Sequence, residues 1–271
     1  MPGVEALDGT GADATYRRVL ALPRGPAVVA LAVRDAHVDC TLRLTDLRDL
    51  QAAVQRCRRL LDLDADPRAV AEALGGDPVI GPLVRRAPGR RVPGAVDGAE
   101  LAVRAVLGQQ VSVAAARALA GRLTAALGAP LPPALAADGA GLTRAFPAPA
   151  ALAAADPARL PLPRARARTL VALAAALASG DLALDPGADR AQARARLRAL
   201  PGIGAWTAEL VAMRALGDPD AFPAADLGLR RALARRGQPD DPRAVAALAA
   251  RWRPWRAYAA QHLWATLTEQ E

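Results

Sequence analysis

Alternation of apolar and polar residues is confined to the first 46 positions, and this limit decides the fold class. Residues 16–22, 27–34 and 37–44 alternate at the strand interval, with turn residues at 23–26 and 35–36 between them. Short strands joined by such tight turns pair as antiparallel hairpins. The sequence therefore predicts an α+β fold, in which a small amino-terminal antiparallel sheet with helices precedes a mainly helical chain.

From Leu47 onward the apolar residues recur at the helical interval. The pattern predicts a first helix over 47–63, with one apolar face made of Leu47, Leu50, Val54, Cys57 and Leu61. A proline- and glycine-punctuated stretch follows. Its arginines at 85–91 either contact DNA or are solvated, and we favour solvation. We place the domain boundaries there: an amino-terminal α/β domain over 1–85, a linker over 86–96 and an all-α domain over 97–271.

Capping residues mark several helix starts in the third of these segments. Asp97, with Glu100 three residues later, has the spacing of a capping box. Ser112 can cap the next helix, and Pro163 is placed where a first-turn proline belongs. Residues 189–199 are predicted to form the helix before the glycine pair at 202 and 204. We expect helices to begin at each of these positions.

The charge balance indicates a polyanionic partner. The chain carries a net charge of +8, which favours binding to nucleic acid. All 35 basic residues are arginine, however, and GC-rich codon usage also produces such a bias. No apolar run approaches the ~20 residues of a membrane span, and the amino terminus carries no secretion signal. A cytoplasmic protein without a membrane partner is expected.

Several kinds of chemistry are excluded by what the chain lacks. It contains no lysine, so no side-chain amine can form a Schiff base. Cys40 and Cys57 form no Cys-x-x-Cys pair, which excludes a cysteine-ligated zinc or iron–sulfur site built from this chain alone. Both are expected to be small buried residues, far apart. His37 and His262 have no acidic neighbours at metal-ligand spacing.

The segment Leu200–Ala208, read as LPGIGAWTA, separates two predicted helices with two glycines. It is either a tight helix–helix turn without a ligand or a site where consecutive backbone N–H groups hold an anion such as a DNA phosphate. Asp226 follows 24 residues after Gly202, at the start of another helix. An aspartate there is an ordinary N-cap, and it can also carry chemistry.

Aromatic residues are concentrated near the carboxyl end. Six of the eight, including all four tryptophans, lie after residue 205. Such clustering indicates either a stacking surface or a local core. Trp252 and Trp255 flank Pro254, which favours core packing, whereas Trp206 and Trp264 are candidates for a binding surface.

Several stretches in the same order resemble one known family. They are RVPGAVDGAELAVRAVLGQQVSVAAARALAGRL, LPLPRARARTLVALAAALASGDL, LPGIGAWTAELVAMRALG, the run ending in DLGLRR, and RWRPWRAYAAQHLW. Together they resemble the helix-hairpin-helix DNA glycosylase superfamily and, within it, the DNA-3-methyladenine glycosylase II (AlkA-type) enzymes. The resemblance spans about residues 2–267. It implies that the helical part is a two-lobed glycosylase core containing a helix-hairpin-helix motif.

The resemblance implies excision of alkylated bases from double-stranded DNA after the nucleotide is flipped into a pocket. Asp226 matches the family's catalytic aspartate, which either orients a water or stabilises positive charge at C1′. Trp206 and Trp264 match pocket aromatics, whose faces attract a cationic base. Leu210 is placed where a well-known member has a pocket tyrosine, which leaves the base range open and allows a shift towards deaminated purines.

The remaining implied contacts are to DNA and to a cation. Gly202, Gly204 and Thr207 belong to the DNA-gripping hairpin, and Gln109-Gln110 matches a loop that fills the gap left by the flipped base. A helix break with solvated polar residues is the alternative for that loop. Main-chain carbonyls of Arg198, Leu200 and Gly202 are implied ligands of a monovalent cation, and no other cofactor is expected.

Further expectations follow from the positions at which this sequence differs from the family it resembles. Members that also cut the DNA backbone have a lysine at the position of Trp206, so this chain is expected to lack that lyase activity. As a separate expectation, it acts as a monomer. The family's first domain normally begins about two dozen residues earlier, so the start is expected to be truncated, with a sheet edge left uncovered. A fragment, a mis-assigned start and a piece of a longer fusion are the three alternatives. The alternative function is a non-catalytic DNA-binding or damage-sensing module, which would not need Asp226 or the two tryptophans.

Overall fold

The computed structural model describes residues 1–136 and 141–268. Its sheet is an antiparallel meander in the order β1-β2-β3-β4, formed by β1 (Glu5–Asp8), β2 (Thr15–Leu22), β3 (Gly25–Val33) and β4 (Val38–Leu44). The three predicted strands are confirmed as β2, β3 and β4. β1 was not predicted, because four residues are too few to show an alternating pattern. It forms by pairing with β2, with Glu5 opposite Arg18.

Helices account for most of the rest, which confirms the α+β prediction. The described residues contain thirteen α-helices: α1 (Leu50–Leu60), α2 (Pro67–Leu74), α3 (Gly81–Arg86), α4 (Gly98–Leu107), α5 (Val113–Leu127), α6 (Pro133–Ala136), α7 (Pro149–Ala153), α8 (Arg164–Ser179), α9 (Arg190–Ala199), α10 (Ala205–Arg214), α11 (Leu227–Ala234), α12 (Pro242–Ala249) and α13 (Arg256–Thr268). None of the described helices is long and apolar enough to cross a membrane.

Three of the predicted helix starts are confirmed by their capping bonds, whereas α8 begins at Arg164 with Pro163 as its N-cap, outside the first turn and without a side-chain cap. The Asp97 carboxylate accepts from the Glu100 amide at 2.8 Å, and the Ser112 hydroxyl accepts from the Ala115 amide at 3.2 Å. Asp189 accepts from the Ala191 amide at 2.8 Å at the start of α9. These side chains satisfy amides that have no partner within the helix.

The apolar face predicted for the first helix is wrong at its beginning. Residues Leu47–Asp49 form a 3-10 turn capped by Asp46, and α1 begins only at Leu50. A 3-10 turn has about 3.0 residues per turn rather than 3.6, so the apolar stripe does not continue into it. Leu47 and Leu50 are accordingly 80% and 48% exposed, while Ala53 and Cys57 are buried.

The two cysteines also differ from expectation. Cys57 is buried, but Cys40 lies on the exposed strand β4. The fold brings the two thiols close enough for each to influence the pKa of the other. Burial raises the pKa of the Cys57 thiol to about 12, and the neighbouring Cys40 adds to the increase. A thiol with so high a pKa is a weak nucleophile near neutral pH.

Two arginines in and next to the linker, Arg91 and Arg85, donate to main-chain carbonyls, although Arg85 and Arg86 are exposed. The Arg91 guanidinium donates to the Asp62 carbonyl, and the Asp62 carboxylate accepts from the Val92 amide at 2.9 Å and from the Tyr258 hydroxyl at 2.8 Å. Arg85 donates to the Gly75 carbonyl. These arginines serve as local hydrogen-bond donors, which explains why charge alone did not reveal their role.

Contacts within the chain divide it into two compact units. One consists of residues 1–57 and 102–181, and the other of residues 58–101 and 182–271. The predicted boundaries at residues 85 and 96 remain predictions. The glycine hairpin, Asp226 and all four tryptophans belong to the second unit, whereas Gln109 and Gln110 belong to the first. Trp252 is fully buried and packs edge-on against Phe222, with ring centroids 5.9 Å apart, as part of the second unit's core.

Candidate active site

The glycine hairpin connects α9 to α10 through residues 200–204. Gly202 has a φ of +84°, a left-handed conformation that favours glycine, and the Ile203 amide donates to the Leu200 carbonyl at 3.1 Å. Gly204 is the N-cap of α10, with no side-chain cap, and an added Cβ there would meet nothing within 4 Å. The first turn of α10 therefore has room for a ligand group at its amides.

Asp226 is the N-cap of α11, as its position in the sequence predicted. Its Oδ1 accepts from the Leu229 amide at 2.9 Å, and its own amide donates to the Pro223 carbonyl at 2.8 Å. The residue has an extended conformation, with φ −62° and ψ 126°. Its side chain is half-buried. The capping bond therefore fixes one carboxylate oxygen and leaves the other for a further partner.

Two tryptophan side chains supply further donors to this carboxylate. Trp206, on α10, donates from Nε1 to Asp226 Oδ2 at 2.8 Å. Trp264, on α13, donates from Nε1 to Asp226 Oδ1 at 2.8 Å. Both indoles are half-buried. Three separate helices thus direct N–H groups at one carboxylate, and hydrogen bonds to an ionised acceptor are about twice as strong as neutral ones.

Two small or apolar positions shape the surroundings of the carboxylate. Leu210 is half-buried and follows Trp206 by one helical turn, so both side chains lie on the same face of α10. Gly228 lies in the first turn of α11, where an added Cβ would be 3.0 Å from Asp226 Oδ1 and 3.4 Å from Trp264 Cδ1. A larger residue at position 228 would therefore crowd the carboxylate and one of its indole donors.

A network of acidic and basic side chains, not predicted from the sequence, holds the loop that leads to Asp226. Glu209, on α10, accepts from Arg194 Nε at 2.9 Å and from the Phe222 amide at 3.0 Å. Arg194 also bonds to Asp218. Burial acts to raise the pKa of Asp218, but the Arg194 guanidinium and the Asp220 amide outweigh it and hold that pKa below its usual range.

Asp220 extends this network to the carboxyl-terminal segment. It accepts from Arg256 Nε at 2.7 Å and from Arg253 at 2.8 Å. The only sequence signal for this arrangement was that Glu209 is the sole acidic residue of α10. Its partner Phe222 lies 13 residues after it and its partner Arg194 lies 15 residues before it, both outside α10, so local spacing did not connect them.

The other predicted site residues have different environments. Thr207 is only 2% exposed, so its side chain is buried, and its predicted contact with DNA stays a prediction. Gln110 is exposed and has a φ of +56°, which is uncommon for a residue other than glycine. The Gln109 carbonyl accepts from Arg166 at 2.7 Å. Among the residues that the structure describes, no group of three or more His, Cys, Asp or Glu side chains could hold a metal ion.

Two family models match the chain in succession. One describes the AlkA N-terminal domain and matches residues 1–97. The other describes the HhH-GPD superfamily base excision DNA repair protein and matches residues 103–257. The second match includes the hairpin, Trp206 and Asp226, and Trp264 lies beyond it.

Individual relatives extend the similarity over nearly the whole chain. A probable bifunctional transcriptional activator/DNA repair enzyme AlkA from Mycobacterium tuberculosis is 55% identical over 267 residues, which cover 98% of this chain but only 52% of that protein. DNA-3-methyladenine glycosylase 2 of Escherichia coli is 36% identical, covering 95% of this chain and 87% of that enzyme. The structure of a 3-methyladenine DNA-glycosylase from Archaeoglobus fulgidus is similar with a TM-score of 0.76 at 25% identity, covering 92% of this chain and 86% of that one.

Proposed function

The chain belongs to the HhH-GPD superfamily of base excision DNA repair proteins, and from this premise we propose that it is a monofunctional DNA glycosylase. Its substrates are alkylated bases of the 3-methyladenine and 7-methylguanine type in double-stranded DNA, acted on in the bacterial cytoplasm. The observation that carries the proposal is the Asp226 carboxylate, which is half-buried and held by two indole N–H groups. A helix N-cap needs neither indole donor.

The chemistry of alkylated bases fits a site with a single carboxylate. A base alkylated at these positions is cationic, so it leaves without a proton from a general acid. When the C1′–N bond breaks, its electron pair goes to the base, and the sugar develops positive charge at C1′. Water then adds to C1′ and loses a proton. Asp226 either accepts a hydrogen bond from that water or stabilises the positive charge, as carboxylates do at oxocarbenium-like transition states.

Access to the base requires that the nucleotide leave the helical stack, at a cost of a few kcal/mol. We assign the hairpin amides around Gly202 and Gly204 to a DNA phosphate, which fixes the register of the duplex. Gln110 is assigned to the gap left by the flipped nucleotide, because it is exposed in a left-handed conformation at the tip of its turn. Trp206, Trp264 and Leu210 are assigned to the pocket that receives the base.

The absence of lysine supports a monofunctional reaction. Cleavage of the backbone through an imine needs an amine nucleophile, and position 206 carries an indole whose N–H is directed at Asp226. We therefore expect an abasic site as the product. Borohydride should trap no covalent adduct between the protein and damaged DNA.

The proposed monovalent cation has ligands of suitable chemistry in the hairpin. The carbonyl of Arg198 lies in the last turn of α9, where helix carbonyls lack intrahelical partners, and those of Leu200 and Gly202 follow in the turn. The Leu200 carbonyl accepts from the Ile203 amide in the turn. When bound, the cation would order the turn without taking part in bond cleavage. Catalysis as a monomer is also part of this proposal.

The decisive experiment compares wild type with Asp226→Asn on methylated duplex DNA. Wild type should release 3-methyladenine and 7-methylguanine, with strand breaks appearing only after hot alkali. Asp226→Asn should release base at least about 10²-fold more slowly, with duplex affinity retained. Asp241→Asn is the matched control, because Asp241 caps α12 through the Ala244 amide at 2.9 Å and contacts neither tryptophan.

Each outcome decides between the two candidate functions. Loss of release in Asp226→Asn, with release retained in the Asp241 control, supports the glycosylase. Wild-type protein that binds methylated duplex but releases no base contradicts it and favours the damage-sensing module. Equal release by wild type and Asp226→Asn contradicts the role assigned to Asp226.

A further inference from the structure

We propose that Trp206 and Trp264 act as positioning residues, whose indole N–H groups orient the Asp226 carboxylate so that a single lone pair, on Oδ2, faces the reacting sugar. This inference rests on the proposed function and goes beyond it, since the resemblance assigns the two rings only to contact with the base. It predicts that removal of an indole N–H slows base release even when an aromatic ring is kept at the same position.

The count of donors identifies the reactive oxygen. A carboxylate offers about four lone-pair directions, two on each oxygen. Oδ1 accepts from the Trp264 indole and the Leu229 amide, at 2.8 and 2.9 Å, which uses both of its directions. Oδ2 accepts from the Trp206 indole at 2.8 Å, which is its one donor among the residues that the structure describes. One direction remains on Oδ2, and it is the one available to C1′ or to the attacking water.

The capping bond by itself would not fix this orientation. It holds Oδ1, but the terminal torsion of an aspartate side chain has a broad minimum, so Oδ2 could swing about the Cβ–Cγ bond. The two indoles approach from α10 and α13 and engage different oxygens. Together they define the plane of the carboxylate. Removing either N–H therefore leaves the charge in place but loosens its direction.

Phenylalanine separates the two roles of each ring, because it keeps an aromatic face and removes the donor. In Trp206→Phe and Trp264→Phe we expect the single-turnover rate of base release to fall about 10–100-fold, the range expected for loss of one hydrogen bond to a charged group. The double variant should lose less than the product of the single losses, since both residues act through one carboxylate.

Binding to abasic-site analogues supplies a readout that base stacking cannot influence. Duplexes carrying a cationic pyrrolidine or a neutral tetrahydrofuran in place of the deoxyribose both lack a base. Wild type should bind the cationic analogue more tightly, and both Phe variants should lose most of that preference while binding the neutral one as wild type does. Trp255→Phe is the matched control, because Trp255 packs edge-on against Tyr258 and does not contact Asp226.

The outcomes separate this inference from the proposed function. Wild-type release of base, together with Phe variants that keep the wild-type rate and the preference for the cationic analogue, overturns the positioning role alone. Wild-type protein that releases no base overturns the proposed function and this role with it. If a Phe variant unfolds, benzothienylalanine at the same position replaces the N–H with sulfur at nearly equal volume, and the same losses are expected.

Discussion

Gly228 lies two residues after Asp226, and its lack of a side chain decides how much room the carboxylate has. An added Cβ would be 3.0 Å from Asp226 Oδ1 and 3.1 Å from Leu267 Cδ1. We expect Gly228→Ala to displace the carboxylate from its indole donors and to slow base release at least about tenfold, as small misplacements at active sites do. Single-turnover kinetics on 7-methylguanine duplex measure this loss.

The stability of Gly228→Ala should change little. Alanine gains up to about 1 kcal/mol over glycine within a helix, which offsets part of the crowding. Gly76→Ala is the control, since an added Cβ there meets nothing within 4 Å. A Gly228→Ala enzyme as fast as wild type would show that the carboxylate tolerates displacement, against the geometry described for this site.

At the scale of secondary structure, the loop between α10 and α11 depends on Glu209. Its carboxylate accepts from Arg194 and from the Phe222 amide, and that loop ends at Asp226. Glu209→Ala leaves both donors without this acceptor, at a cost of about 1–3 kcal/mol in the free energy of unfolding. Base release should also slow, because the start of α11 is less well held.

Urea unfolding and single-turnover rates at 25 °C test this prediction together. Glu209→Gln should recover part of both losses, since its amide oxygen can still accept one of the two bonds. Glu72→Ala, at an exposed position on α2, should match wild type in both measurements. If Glu209→Ala has the stability and the base-release rate of wild type, this network does not position Asp226.

Much of the element order could be predicted from local patterns. Strands β2–β4 and the starts of α4, α5 and α9 follow from alternation and from capping residues, which are local effects. The pair of bonds from Trp206 and Trp264 to Asp226 could not be predicted, because the residues are 20 and 38 positions from the aspartate and are brought together by packing. For the same reason the Glu209 network and the contact between Cys40 and Cys57 were missed.

At the scale of the whole molecule, acid stability depends on a few buried groups in each unit. In the first unit, burial opposes ionisation of Glu5, but Arg104 and the Tyr16 hydroxyl outweigh it and lower the pKa of Glu5 to about 2. The stability that this carboxylate contributes is complete above its unfolded pKa and is lost as the pH falls towards 2. The pKa of Asp218 in the second unit is also held low, so the stability that its carboxylate contributes is likewise lost as the pH falls.

His262 makes the stability of the fold depend on pH in a higher range. It is 2% exposed and lines a cavity of about 180 Å³ together with Arg86 and Arg90. Burial lowers the pKa of its imidazole to about 4, and the positive charge of Arg90 adds to the decrease. Between about pH 6.5 and pH 4 the unfolded chain therefore binds a proton at this residue that the folded chain does not, and stability falls as the pH is lowered through that window.

The predicted loss from His262 is about 1–3 kcal/mol in the free energy of unfolding between pH 6.5 and pH 4. Urea titrations at several pH values in this range measure the slope. His262→Gln should flatten it, whatever its effect on absolute stability, because glutamine binds no proton. His37→Gln is the control, since His37 is exposed on the first unit and its removal leaves His262 unchanged. An unaltered slope in His262→Gln would mean that other groups titrate in this window, and that burial of His262 is not what limits stability in mild acid.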